Sequence, residues 1–100
     1  MGFVCVVEIQ LHFPDNVGLK GKRRELSSLK AQLQRRFGVA VSETDHHDLW
    51  QRATLSVAIV GCEVSVVIDA ATKLERYVES QFPDGVRVER GVISAEEVLR

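Results

Sequence analysis

Cysteine is scarce in this sequence: Cys5 and Cys62 are the two among 100 residues, far apart and without CxxC spacing. That excludes a disulfide framework and a zinc ribbon, and both thiols read as free, buried core groups in a reducing cytoplasm. No apolar run is long enough to cross a membrane. The apolar start is interrupted at Glu8 and no basic segment precedes it, which argues against a secretory signal. Low-complexity tracts are missing, as are glycine-rich phosphate loops of the P-loop or dinucleotide type. No nucleophile motif brings Cys5, Ser56 or Cys62 beside a histidine, so no catalytic residue is assigned, no cofactor is implied, and the chain reads as non-enzymatic.

What is present is an ordinary globular composition, 45% apolar and 27% charged, in a length that holds one core. From Phe3 to Phe13 apolar residues alternate with Glu8, Gln10 and His12, the period of a strand. Pro14, Asp15, Asn16 and Gly18 are turn formers, after which Leu26, Leu29, Leu33 and Phe37 recur at helical spacing. The stripe predicts a helix over Leu19 to Phe37, stopped by Gly38. A strand from Val39 to Thr44 follows. Asp45 to Asp48 interrupts it, and Ala53, Leu55, Val57 and Ile59 form the second arm of a hairpin. Val64, Val67, Ile68, Ala71, Leu74, Val78 and Phe82 have helical spacing, although several have individual β preference. Pro83, Asp84 and Gly85 end that helix before a short strand carrying Val86 and Val88, and Ser94 with Glu97 has capping-box spacing for one last turn.

The order β-α-β-β-α-β predicts an α+β ferredoxin-like sandwich with a four-stranded antiparallel sheet and two helices on one face. Right-handed crossovers place the first and third strands centrally, and these are the most apolar. Residues 1–93 form this domain, and residues 94–100 a tail or short helical turn. The open sheet face lacks the exposed aromatics of an RNA-recognition motif, and its partly apolar character suits self-association.

Net charge is only −1, but its distribution is uneven. Lys20, Lys22, Arg23, Arg24, Lys30, Arg35 and Arg36 stand against Glu25 alone, a local charge of +6 that leaves −7 on the rest of the chain. Cations at a helix start oppose the helix dipole and the unsatisfied N–H groups there. An anion reverses that sign. On a helical wheel Lys20, Arg24 and Arg35 lie opposite the leucine stripe, with Arg23 on a flank and Lys22, Lys30 and Arg36 nearer its margins. Lys20, Lys22, Arg23, Arg24 and Arg35 are therefore the candidate nucleic-acid or anion contacts, set against the plainer reading of a solvated helix face.

Glu43, Asp45, His46, His47 and Asp48 raise the question of a metal, but adjacent histidines of an extended chain point to opposite faces and no zinc spacing is present. A hairpin held by local Asp hydrogen bonds accounts for them. Trp50 with Arg52 is a secondary binding candidate, able to stack on a base, against the alternative that the indole anchors the hairpin to the core.

Two blocks, Leu19-Lys20-Gly21-Lys22-Arg23 and Glu43-x-Asp45-His46-x-Asp48-Leu49-Trp50-Gln51-Arg52-Ala53, resemble the YlxP-like family of small bacterial proteins of unknown function. Gly18 stands where that pattern has a serine, and His47 where it has glutamine. The resemblance implies a ferredoxin-like fold and, since such proteins are often encoded beside translation and ribosome-maturation factors, an RNA or ribosomal-particle partner. The competing expectation is an oligomeric regulatory module that binds a small anion or an acidic protein through the same helix start.

Overall fold

Alternating apolar residues build β1 (Phe3–His12), whose Cys5, Val7, Ile9 and Leu11 turn toward the core while Val6, Glu8 and His12 face out, in a computed structural model of the chain. The structure describes residues 1–15, 18–83 and 85–100; Asn16 and Asp84, placed in turns by the sequence, and Val17 lie outside the described residues. The other elements are α1 (Leu19–Phe37), β2 (Ala40–Asp45), β3 (Arg52–Gly61), α2 (Val64–Gln81), β4 (Val86–Ser94) and α3 (Ala95–Val98). Gly38 ends α1 in a left-handed conformation (φ 61°) and its N–H bonds the carbonyl of Gln34, as the stop signal predicts. Ser94 Oγ accepts the N–H of Glu97 at 3.1 Å and so caps α3.

Sheet order is β2-β3-β1-β4 with every neighbouring pair antiparallel, the α+β ferredoxin-like arrangement. The inner rows of β1 and β3 pair Cys5 with Ile59, Val7 with Val57 and Ile9 with Leu55. Leu26, Leu29 and Leu33 of α1 and Val67, Ala71, Leu74 and Val78 of α2 close over them in one core. Helical period therefore outweighed the β preference of the valines in α2. No helix among the described residues is long and apolar enough to cross a membrane.

Two expectations need correction. The last strand is not short but spans nine residues. Alternation is broken there because Arg90 occupies the inner row opposite Val7. On this edge strand its guanidinium reaches sideways to Thr72 Oγ1 at 3.0 Å and Glu75 Oε2 at 3.7 Å. Nor are both thiols buried: Cys5 is enclosed, whereas Cys62, one residue past β3, is exposed. Burial pushes the Cys5 thiol up, a shift only partly offset by the nearby Arg90 charge. A thiol reagent at neutral pH is thus expected to modify Cys62 in the native chain and Cys5 only on unfolding. Mass spectrometry showing Cys5 labelled first would contradict this packing.

Candidate functional site

Lys22 occupies a buried place on α1, closed to any outside partner. It falls four residues before Leu26 and seven before Leu29, on the buried stripe itself, and is 1% exposed. Its stem packs inward and its ammonium reaches the hairpin joining β2 to β3. Nζ donates to the carbonyls of His46 (2.7 Å), Arg52 (3.1 Å) and His47 (3.3 Å), and lies 3.2 Å from Glu43 Oε2. An ammonium has three N–H groups, and three carbonyls take them. Glu43 Oε2, buried and without a hydrogen bond, therefore interacts with Lys22 by charge alone. This overturns the assignment of Lys22 to phosphate contact, since an ammonium enclosed by four protein oxygens offers no donor to a ligand.

The loop that Lys22 grips is ordered by its own short bonds. A bulge between Glu43 and Asp45 changes register, so Glu43 pairs with Leu55 in an inner row and Asp45 with Thr54 in an outer one. Asp45 Oδ1 accepts the His46 N–H at 2.7 Å, holding His46 in a left-handed conformation (φ 64°). His46 Nδ1 meets Thr54 Oγ1 at 2.9 Å, His47 Nε2 meets the Glu43 carbonyl at 3.2 Å, and the Leu49 N–H closes the turn on the His46 carbonyl at 3.1 Å. One Asp bond, from Asp45, takes part in holding this segment, and the rest come from the two histidines, the Leu49 N–H and Lys22. Among the described residues no three His, Cys, Asp or Glu side chains are grouped to hold a metal ion.

The remaining cations of α1 divide by position. Lys20, Arg23, Arg24 and Arg35 are exposed, and Lys30 is half-buried. Arg36 lies over the Tyr77 ring, 4.6 Å from its centroid, and donates through Nε to Gln32 Oε1 at 3.4 Å. The one acid of the helix, Glu25, sits on the flank, where it lines a cleft with Phe13, Gln81 and Phe82. The outward face of α1 consequently presents cations and neutral residues only. Lys20 and Arg35 are about 22 Å apart along the axis at about 1.5 Å per residue, so Arg35 lies far from the helix start.

Trp50 is not an anchor in the core: it is 44% exposed and stands beside the equally exposed Leu49 and the exposed Arg52. Because Lys22 holds the carbonyls of His46, His47 and Arg52, this segment lies against the first turns of α1. Lys20, Arg23 and Arg24 thus share one end of the molecule with Trp50 and Arg52, while Arg35 belongs to the other. Charge alone groups Lys22 with its neighbours in the sequence, although its spacing from Leu26 and Leu29 marks it as buried. A buried lysine calls for a carboxylate partner, and Glu43 in the second block supplies it.

Fold and site together define a small α+β domain with a lysine latch between its first helix and its central hairpin. The chain belongs to a family of proteins of unknown function, DUF503, whose model matches residues 4–89 and so includes both halves of the latch. No curated protein matches it. Among solved structures, the de novo designed protein Foldit4 is similar at a TM-score of 0.64 and 12% identity, over 94% of this chain and 98% of its own. That likeness concerns the fold alone.

Proposed function

We propose that this protein is a non-catalytic binding module that contacts RNA, free or within a ribosomal particle, through the start of α1 and the adjoining hairpin. The observation that carries the reading is the latch: three carbonyl bonds from Lys22 bring exposed Trp50 and Arg52 to the end of the helix where Lys20, Arg23 and Arg24 are exposed. Cations suit phosphates, and an exposed indole suits an unstacked base. The absence of acids from the outward face of α1 favours a polyanion over a merely solvated helix, whose charges are ordinarily of both signs. Resemblance to the YlxP-like family, with its translation-linked gene neighbours, favours ribosomal RNA within that class.

The test is retention of the purified chain on ribosomal particles and on extracted ribosomal RNA across a salt series. Binding at about 50 mM salt that falls steeply by about 200 mM, and disappears after nuclease treatment, is the expected result. No association at the low-salt end would end this reading. Saturable thermal stabilisation by inorganic phosphate without any RNA binding would instead favour a small-anion site at the same helix start.

A further inference from the structure

Among the described residues, the helices that close the core, α1 and α2, lie on the inner face of the sheet, and the residues of the outward face fall into cross-strand rows of unlike character. Near the end of β3, one row joins Val60, Val4 and Ile93, and the next joins Ala40, Ala58, Val6 and Gly91. Val60 is 74% exposed, with Ile93 at 42% and Val6 at 39%. Toward the other end come a row of Ser42, Ser56, Glu8 and Glu89 and a row of Asp45, Thr54, Gln10 and Arg87. Half the face is thus apolar and made flat by two alanines and a glycine, and half is polar, with Asp45, Glu8 and Glu89 against the one cation Arg87 and with Thr54 buried beside His46.

We infer that this face binds a second copy of the chain, through a twofold axis lying in the interface and running along the strands. Such an axis exchanges β2 with β4 and β3 with β1 while keeping each row over the same row of the partner. Apolar rows then meet apolar rows, with Val6 over the small Ala58 of the second copy and Val60 over its Val4. Arg87 stands over the Asp45 edge, and Asp45, whose side chain is 73% exposed, over the Arg87 edge. Glu8 accepts a hydrogen bond from Ser56 Oγ of its own chain at 3.3 Å, and Glu89, adjacent to it across β1 and β4, faces Ser42 of the second copy. The other in-plane twofold, across the strands, would set apolar rows against charged ones. The distribution of side chains therefore selects one geometry, which is self-complementary in size and sets Asp45 of one copy against Arg87 of the other.

Area supports a dimer of moderate strength. Four strands spaced about 4.8 Å, rising about 3.3 Å per residue, give a footprint of roughly 600 Å². Two such faces bury about 1,200 Å², the lower bound of stable interfaces, in the aligned stacking typical of paired sheets.

Sedimentation equilibrium at about 100 μM chain, where a micromolar dimer is largely formed, is expected to give twice the 11.2 kDa chain mass. Val60→Glu changes a side chain that is already mostly exposed, so the monomer keeps its circular dichroism and melting temperature while the dimer is lost. Arg87→Glu is expected to raise the dissociation constant at least tenfold. Val66→Glu, at an exposed position of α2 outside the sheet, should leave the dimer intact. A monomeric wild-type chain at that concentration would overturn the inference. So would a dimer that survives Val60→Glu but is broken by Val66→Glu, which would move the contact to the helix.

Discussion

Replacing Lys22 with methionine is expected to destabilise the native chain by about 3 kcal/mol, the lower end of the cost of breaking a buried ion pair. The lower end applies because the Glu43 side chain keeps 17% exposure and recovers some hydration once its partner is gone. Methionine preserves the packing of the stem against Leu26 and removes only the ammonium. What remains are the carbonyls of His46, His47 and Arg52, which lose the N–H donors Lys22 gave them, and a carboxylate without a counter-ion. For a domain of this size the melting temperature should fall by roughly 12–24 °C. Denaturant titrations with an unchanged slope will show whether the effect is on stability. Lys20→Met, two residues earlier and exposed, should change the midpoint little. Removing the carboxylate as well, in Lys22→Met with Glu43→Leu, should recover part of the loss, because the unpaired charge is gone while the carbonyls still lack their donor. A Lys22→Met chain as stable as the wild type would mean that the latch contributes nothing to the fold.

Charge reversal at Lys20, Arg23 and Arg24 together should act on binding and spare the fold. Each cation that neutralises a phosphate contributes about 0.7 to 0.9 to the salt slope of binding, so the triple Glu variant should lose about two units of slope. Affinity for ribosomal RNA should fall by about 10² to 10³ near 100 mM salt, through lost counterion release and added repulsion. Stability should hold or rise, because three carboxylates in the first turns of α1 favour the helix dipole that the native cations oppose. This opposite sign separates the two predictions: lost stability is expected at Lys22, and lost binding with stability kept at its exposed neighbours. Equilibrium binding by fluorescence anisotropy at several salt concentrations gives the slope directly. An unchanged slope would remove these residues from the interface.

The order of elements was legible because both periods are strong. Alternation from Phe3 onward and the spacing of Leu26, Leu29 and Leu33 each admit one structure, and the Gly38 stop was readable from its type and place. What escaped were residues whose chemistry contradicts their position. Lys22 is charged on a buried stripe, and its burial depends on oxygens of Glu43, His46, His47 and Arg52, far along the chain, a convergence that local periodicity does not encode. Arg90 is charged in an inner row, tolerated because β4 is an edge strand with Thr72 and Glu75 alongside. Trp50 is the reverse case, a large aromatic that the hairpin leaves half outside, although its type suggests the core. The two blocks that carry the family resemblance were readable as separate motifs. In the fold they are the two sides of one contact, between Lys22 and the Glu43–Arg52 segment.

Strand direction gives that contact a wider reach. α1 begins where β1 ends, and the hairpin lies where β2 ends and β3 begins, so the cationic helix start and Trp50 project beyond the same end of the sheet. An axis along the strands reverses no strand, so two chains joined by it present both of these ends in one direction. Two weak sites on one rigid body engage a long polyanion at high effective concentration, and their joint affinity exceeds that of either alone by about 10² to 10⁴. In such a pair, strong retention on a large RNA and weak retention on a short oligonucleotide follow from the same handful of cations.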